Sequence, residues 1–252
     1  MGRVLAIANQ KGGVAKTTTT HSLGAGLAEL GERVLLVDLD PQACLTYSLG
    51  IDSDSLDRSL HDVLAGRAEA ADVLVKSGDL SALPATIDLA GAEVHLMTRT
   101  GREHVLARAI SPLVAEYDTV LIDCPPSLGV LTINGLTAAD EVIVPLQCET
   151  LGHRGVGQLL ETIGDVRSFT NPKLAVRGLV ATMFDKRTRH SQEMLGDLEE
   201  RYGVAVLGEP IPKSVRFAEA PGKGRSILTH APRSAGAEAY RAIARLLHQD
   251  SR

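Results

Sequence analysis

The sequence is poor in aromatic residues and lacks tryptophan altogether. Its 252 residues include only three Phe and four Tyr, whereas 44% of the residues are apolar and 24 are Gly. A core with so few large rings depends on aliphatic side chains, which suits Val- and Ile-rich strands covered by Ala- and Leu-rich helices. We therefore expect an α/β protein, and the length fits one domain that spans residues 1–252.

Cysteine is also scarce, and its spacing excludes several kinds of site. Cys44, Cys124 and Cys148 are dispersed and odd in number, so they form neither a disulfide framework nor a CxxC metal site. The eight histidines include no HExxH pair, and no GxSxG elbow is present. We expect reduced cysteines and a chemistry other than zinc proteolysis or serine hydrolysis.

Long apolar runs are missing, and so is an excess of positive charge. No run approaches the roughly 20 residues of a membrane-spanning helix, and Met-Gly-Arg-Val leads directly into an apolar strand without a signal peptide. These features favour a cytoplasmic protein. The net charge of −5 is uneven, because residues 1–182 hold 14 Lys/Arg against 22 Asp/Glu and residues 183–252 hold 12 against 9. Any contact with a polyanion is therefore expected from the C-terminal third.

A strand, a glycine loop and a helix follow one another in residues 3–20. The short apolar run 4–8 and the loop Asn-Gln-Lys-Gly-Gly at 9–13 predict a buried parallel strand that ends in a turn. Leucines spaced by four and three predict a helix from about Lys16. Such a loop holds phosphate oxygens on backbone N–H groups and on the helix N-terminus. Lys16 would then reach the terminal phosphates, and the Thr17 hydroxyl would ligate Mg²⁺.

The loop departs from the ordinary P-loop pattern in a specific way. The two expected glycine positions hold Gln10 and Ala15, whereas glycines occupy 12 and 13 and an additional lysine stands at 11. A glycine turn with a solvated lysine is the simpler interpretation, but two lysines, two glycines and a threonine run in this setting disfavour it. The arrangement KGGxxKT resembles the deviant Walker A motif of the ParA/MinD ATPases. The resemblance implies a homodimer that sandwiches ATP, with Lys11 touching the nucleotide of the partner subunit, and a nucleotide-binding loop formed by Lys11, Gly12, Gly13, Val14, Ala15, Lys16, Thr17 and Thr18.

Carboxylates follow two further apolar strands. Residues 33–38 end in Asp38, with Asp40 two positions later, and residues 118–123 end in Asp123 before Cys-Pro-Pro. Ligands bind open α/β sheets at the carboxyl edge of the strands, and two neighbouring acids repel each other without a cation. A solvated turn at Pro41 remains the alternative to a Mg²⁺ site with an attacking water. By resemblance to the family, Asp40 orients that water, Asp38 belongs to the Mg²⁺ shell, and Asp123 holds Mg²⁺ through a water in a segment like Walker B.

Two loops of the C-terminal half add to the resemblance. Residues 211–221, IPKSVRFAEAP, are similar to a family signature, IPR-x-VR-x-x-EAP, which implies that Pro212 borders the adenine ring, together with Met183. The loop Gln-Cys-Glu at 147–149 also matches the family, whereas the lack of a bulky aromatic residue at 150–153 departs from it and bears on partner contacts.

Basic residues concentrate near the same signature. Such a group neutralises phosphates without reading bases, and no helix-turn-helix, zinc-finger or RNP pattern is present. From charge alone, a solvated basic face explains these residues slightly better than DNA binding does, and the family resemblance reverses that order. The candidate DNA-binding residues are Arg187, Arg189, Lys213, Arg216, Lys223 and Arg225.

The rest of the chain shows weaker patterns, and 72–75 and 82–89 are ambiguous. We predict helices at 59–64, 102–117, 128–138, 154–168, 191–202 and 234–248, and strands at 94–97, 141–146, 174–183 and 204–211.

These patterns predict a doubly wound, mostly parallel sheet flanked by helices, with the fold of a deviant P-loop NTPase. The resemblance implies a ParA/Soj-type partitioning ATPase that uses ATP and Mg²⁺, is weak alone, binds nonspecific double-stranded DNA as an ATP dimer on the nucleoid, and is stimulated by a ParB/Spo0J-like partner.

Three alternatives stay open. A MinD-like ATPase would cycle on membranes, but helix 234–248 has a small, Ala-rich apolar face that favours packing on the sheet, so we expect no membrane contact. A second alternative positions a protein cargo instead of DNA. Metallocluster carriers of the same superfamily need paired cysteines, which count against them here.

Overall fold

One seven-stranded sheet forms the centre of the molecule. The computed structural model describes residues 2–147, 152–185, 191, 199–200 and 202–250, with the backbone alone at 152–154. The strand order is β3-β4-β2-β5-β1-β6-β7, and all neighbours are parallel except the β3–β4 pair. This arrangement confirms the predicted fold class. The strands are β1 (Arg3–Ile7), β2 (Val34–Asp38), β3 (Val75–Ser77), β4 (Leu80–Leu83), β5 (Thr119–Asp123), β6 (Glu141–Gln147) and β7 (Ala175–Thr182).

Helices cover both faces of the sheet, as the aliphatic composition predicts. Short 3₁₀ turns lie at Ser53–Ser55, Ala70–Val73, Arg102–His104 and Pro221–Lys223. The helices described are α1 (Lys16–Glu29), α2 (Cys44–Ser48), α3 (Leu60–Leu64), α4 (Leu89–Met97), α5 (Val105–Val114), α6 (Val130–Ala138), α7 (Gly152–Phe169), α8 (Arg216–Glu219), α9 (Ile227–His230) and α10 (Ala235–Gln249).

The core has two parts because successive side chains of a strand point to opposite faces. In β1, Val4 and Ala6 join the part beneath α3 to α7, whereas Leu5 and Ile7 join the part beneath α1 and α10. Since both faces are covered, the central strands are apolar throughout, as parallel strands usually are.

The C-terminal helix α10 packs against α1. Ile243, Ala244 and Leu247 are fully buried, and the Tyr240 hydroxyl lies 2.9 Å from the Thr19 hydroxyl of α1. On the outer side, Arg241 pairs with Glu29 at 2.7 Å. The apolar side of the last helix is therefore covered by the protein itself. No helix within the described ranges combines the length and the apolar character that crossing a lipid bilayer requires.

Two predicted strands are corrected by the structure. Residues 94–97 form the end of α4, in which Leu89, Ala92 and Leu96 are buried at helical spacing while Val94 and Met97 are exposed. Residues 204–211 form only isolated bridges, Val206 with Leu179 and the following Pro212 with Phe184. Prolines at 210 and 212 have no N–H to donate to a sheet, and Gly208 has a φ of +64°, so a regular strand does not form there.

Some predicted features lie outside the described residues. Most of the predicted helix 191–202 and residues 148–151, which include Cys148, belong to this group.

Candidate nucleotide-binding site

The loop between β1 and α1 is fixed by polar contacts with the neighbouring strands. The side-chain amide of Asn9 donates to the Pro145 carbonyl of β6 at 2.7 Å, and the Lys11 amide donates back to the Asn9 side chain at 3.0 Å. On the other side, the Thr182 hydroxyl of β7 donates to the Val14 carbonyl at 3.0 Å. The loop therefore has one defined shape at the carboxyl edge of the sheet, where open α/β folds bind ligands.

Lys16 is the first residue of α1 and is folded back over this loop. Its ammonium donates to the Lys11 carbonyl at 3.2 Å, and only 7% of the residue is exposed. Burial lowers the pKa of Lys16, and the nearby carboxylate of Asp123 opposes that shift. A partly desolvated cation at a helix N-terminus is suited to bind phosphate oxygens.

Ala15 adopts a left-handed backbone conformation, with φ of +66° and ψ of +34°. Glycine, which is expected at this position of an ordinary P-loop, adopts this conformation without a steric penalty. Among the described residues other than glycine, Ala43 and Met183 share the feature, and all three line the cavities described below. Backbone strain of this kind is concentrated at functional sites in proteins.

Two buried carboxylates end the strands beside the loop. Asp38 of β2 and Asp123 of β5 are register partners, and each is 1% exposed. The Thr17 hydroxyl donates to Asp123 Oδ2 at 2.7 Å, and the Thr20 hydroxyl donates to Oδ1 at 3.1 Å. Burial and the adjacent Asp38 raise the pKa of Asp123 to about 8, and burial raises the pKa of Asp38 to about 6. Burial thus disfavours the charged forms of both carboxyl groups, and a cation bound at this point would stabilise those charged forms.

The donor set at this point fits magnesium. Mg²⁺ prefers hard oxygen ligands and binds proteins through one or two carboxylates together with substrate phosphates. The Thr17 hydroxyl and the Asp123 carboxylate, in direct contact beside the phosphate-binding loop, meet that description. The structure thus brings together the residues that the sequence predicts at 16, 17 and 123.

A cavity of about 650 Å³ opens over the loop. Its wall combines the loop with Asp40, which is 9% exposed and accepts a hydrogen bond from the Gln42 amide at 2.9 Å. The opposite wall comes from the C-terminal part of the chain. The residues that line the cavity include Gly12, Gly13, Ala15, Lys16, Thr17, Thr18, Asp40, Tyr47, Phe217 and Arg225.

A second, more apolar cavity of about 290 Å³ adjoins the first. Met183 and Pro212, which are 29 positions apart, line it together with Ala15 and Thr18. Phe217 lines both cavities and packs edge-on against the Tyr240 ring, with 6.1 Å between the centroids. The two residues predicted to border a base are therefore adjacent to the phosphate loop.

The candidate DNA-binding residues are only partly described. Lys213, Arg216, Lys223 and Arg225 are exposed on one surface segment, which we call the basic segment, residues 213–225. Arg216 pairs with Glu219 at 2.9 Å, so part of its charge is neutralised locally. The other two candidates, Arg187 and Arg189, lie outside the described residues.

Three residues of the site were not predicted. Thr20 holds Asp123, and its place at the end of the threonine run, one helical turn after Lys16, was the available signal. Phe217 lies inside the 211–221 signature, but the signature does not indicate which way its ring faces. Thr46 contacts the carboxylate of Asp38, eight positions away, and no spacing rule would have found it.

Comparison with known proteins gives a consistent result. The family model described as AAA domain matches residues 2–176. The chain is 44% identical to the sporulation initiation inhibitor protein Soj of Bacillus subtilis, over 97% of this chain and 98% of Soj. It is 46% identical to the chromosome partitioning protein ParA of Caulobacter vibrioides, over 96% of this chain and 92% of that protein.

Solved structures resemble it as well. A crystal structure described as cobyrinic acid a,c-diamide synthase from Mycobacterium smegmatis, with bound ADP and magnesium, is 55% identical with a TM-score of 0.89. The match covers 99% of this chain and 95% of that one.

Proposed function

Because this chain belongs to the ParA/MinD family of ATPases, we propose that it is a partitioning ATPase that binds nonspecific DNA in its ATP state. In this proposal two subunits dimerise around ATP, and a ParB-like partner stimulates hydrolysis and releases the DNA. The names of the Soj and ParA relatives support this assignment. The observation that carries it is structural: Phe217 and Arg225 of the basic segment line the same cavity as Lys16. A nucleotide in that cavity therefore contacts the segment that presents the cations.

The chain hydrolyses nucleotide as a P-loop ATPase, with ATP or ADP and Mg²⁺ as its cofactors. In the proposed arrangement Lys16 and the loop amides bind the phosphates, while Thr17 and Asp123 hold the metal. Bound Mg²⁺ neutralises charge on the terminal phosphates. Asp40, at the cavity wall, orients the attacking water. The adenine base occupies the apolar cavity between Met183 and Pro212.

Dimerisation rests on Lys11. Its backbone is held by the Asn9 side chain and by the Lys16 ammonium, so the position of its Cα is fixed relative to the phosphate loop. We propose that its ammonium crosses to the nucleotide of the partner subunit. ATP would then bridge the two subunits, and its hydrolysis would allow the dimer to dissociate.

A membrane-cycling function of the MinD type is less well supported. Such a function requires a terminal amphipathic helix with an apolar face available to lipid. In α10, Tyr240, Ile243 and Leu247 face the protein core and are fully buried. Membrane binding through this helix would require it to leave α1.

The Mycobacterium smegmatis relative supplies a second candidate, ATP-dependent amide formation on a carboxylate. When glutamine is the nitrogen source, such reactions use a nucleophilic thiolate, which requires a lowered cysteine pKa. Of the two described cysteines, Cys124 is 1% exposed, and burial raises the pKa of both Cys44 and Cys124; Cys148 lies outside the described residues. We therefore rank this candidate second. Phosphate release that depends on cobyrinic acid and ammonia, and not on DNA, would favour it.

The experiment that tests the proposal uses the variant Asp40→Ala. Removal of the water-orienting carboxylate is expected to retain ATP binding and to trap the ATP dimer. We expect this dimer to bind random-sequence double-stranded DNA with ATP, weakly with ADP, and with an affinity that falls steeply as salt rises. Fluorescence anisotropy across a salt series and analytical ultracentrifugation measure both properties.

Each other outcome identifies the faulty step. A variant that stays monomeric with ATP would contradict the role of Asp40 and the sandwich dimer. An ATP-bound dimer that does not bind DNA at any salt concentration would contradict the proposed DNA function but not the ATPase assignment. Liposome co-sedimentation of the same sample would then test the membrane alternative.

A further inference from the structure

The carboxylate of Asp38 is occupied by hydrogen bonds from its own chain. Its Oδ1 accepts from the Asp40 amide at 3.2 Å, and its Oδ2 accepts from both the amide and the hydroxyl of Thr46, at 2.8 and 2.7 Å. Asp40 is among the residues that line the large cavity, and Asp38 is not. The geometry therefore connects Asp38 to the position of Asp40 more directly than to a ligand in the cavity.

Thr46 is itself held in a single orientation. It lies in α2, is fully buried, and its hydroxyl accepts a hydrogen bond from the Ala85 amide at 2.9 Å while donating to Asp38. A hydroxyl has one proton to donate. Since that proton points to Asp38 and the backbone after β4 fixes the oxygen, the hydroxyl holds the carboxylate at a defined angle.

We infer that Thr46 is a positioning residue for ATP hydrolysis, acting on Asp40 through Asp38. This inference rests on the proposed role of Asp40 in orienting the attacking water. The chain of contacts runs from the Thr46 hydroxyl to Asp38 Oδ2, and from Asp38 Oδ1 to the backbone amide of Asp40. Loss of the hydroxyl leaves Asp38 Oδ2 with the Thr46 amide as its remaining donor from this residue. The carboxylate is then less firmly oriented, and so is the Asp40 amide that donates to its other oxygen. A small displacement of a catalytic group lowers turnover strongly, because alignment supplies much of the rate.

The test compares two substitutions at the same position. Thr46→Val keeps the shape of the side chain and removes the hydroxyl, whereas Thr46→Ser keeps the hydroxyl. Single-turnover hydrolysis of ATP, with protein in excess, reports the chemical step, and a fluorescent ATP analogue reports binding. We expect Thr46→Val to lower the hydrolysis rate about tenfold or more, which is about 1.4 kcal/mol per factor of ten. We expect its nucleotide affinity to change less than about twofold, and Thr46→Ser to restore the rate.

Thr119→Val is the matched control. Thr119 is also a fully buried threonine whose hydroxyl both accepts, from Arg3 at 3.0 Å, and donates, to Glu32 at 2.5 Å. It lies at the amino end of β5, whereas the nucleotide site is at the carboxyl end. We expect this control to lower the free energy of unfolding without changing the hydrolysis rate.

The outcomes separate the inference from the function on which it rests. If Asp40→Ala abolishes hydrolysis while Thr46→Val keeps the wild-type rate, or if Thr119→Val lowers the rate equally, the positioning role is wrong. If Asp40→Ala hydrolyses ATP normally, the proposed role of Asp40 is wrong and the inference falls with it. Should Thr46→Val fail to fold, Thr46→Cys, with its weaker donor, replaces it, and an unreduced rate in that variant would overturn the inference.

Discussion

Ala15 stores strain in the phosphate loop, since its φ of +66° is unfavourable for any residue with a Cβ. The substitution Ala15→Gly removes that strain, and we expect it to raise the free energy of unfolding by about 1 kcal/mol. For a protein of this length the melting temperature rises by roughly 2–4 °C. Denaturant unfolding followed by circular dichroism measures the difference.

The control for this prediction is the same replacement in a regular helix. Ala28 lies near the end of α1, and Ala28→Gly is expected to destabilise the protein by up to about 1 kcal/mol because glycine loses more entropy on folding. The two substitutions thus have opposite expected signs. Equal destabilisation by both would show that Ala15 carries no strain.

The same residues show how far the sequence alone leads at this scale. Lys16, Thr17 and Asp123 were predicted because each belongs to a local pattern of a strand end and a helix start. The partners of Asp38 were not, because Thr46 reaches it only through the short helix α2 and the loop after β4. The position of Arg225 in the cavity wall was likewise unpredictable, since its charge and its place near the 211–221 signature identified it only as a candidate DNA-binding residue.

At the scale of elements, α2 meets the basic segment through two glycines. Gly50 follows α2 with a φ of +74°, and Gly224 ends the turn Pro221–Lys223 with a φ of +60°. A Cβ at position 224 would lie 2.9 Å from the Gly50 Cα. The two backbones therefore approach as closely as glycine permits. Through this contact, the segment that carries Lys223 and Arg225 rests on the element that follows Asp40.

We expect Gly224→Ala to destabilise the protein more than an alanine at an open glycine does. Gly78 is the matched control, because its φ is +57° and a Cβ at that position would have no atom of the described residues within 4 Å beyond its chain neighbours. Both substitutions introduce the left-handed strain of roughly 1 kcal/mol, and only Gly224→Ala adds a clash with backbone, worth about 1–3 kcal/mol. Equilibrium unfolding in urea compares the two variants. Identical midpoints would mean that the loops separate freely.

The elements differ in how well local pattern predicts them. The central strands were predicted because strands that are buried on both faces of a sheet are continuous apolar runs. Helix α1 was predicted because its leucine spacing begins directly after a glycine loop. The short, mostly apolar run at 94–97 was predicted as a strand, but burial follows Leu89, Ala92 and Leu96 of a longer helix. The helix at these residues is determined by their contacts with the core, and a sequence pattern of only four residues does not reveal those contacts.

At the scale of the whole molecule, charge is separated along the chain and in space. The basic segment lies beside the nucleotide cavity, whereas the chain as a whole carries a net charge of −5. A protein that repels DNA in general needs a local cationic surface to bind it, and that surface makes binding sensitive to salt. The proposed function therefore predicts that the position of a cationic side chain affects DNA binding more than the total charge of the protein does.

Two lysine reversals with the same change in net charge test this point. Lys223 is exposed in the basic segment, and Lys173 is exposed just before β7, at the amino end of the strands, whereas the nucleotide cavity lies at their carboxyl end. We expect Lys223→Glu to weaken DNA binding by the ATP-bound dimer about tenfold near 0.1 M salt and to reduce the slope of log affinity against log salt by about 1. Lys173→Glu is expected to change affinity less than about twofold, since its charge lies farther from the DNA than a Debye length of about 10 Å. Equal losses in the two variants would show that net charge, and not the basic segment, controls DNA binding.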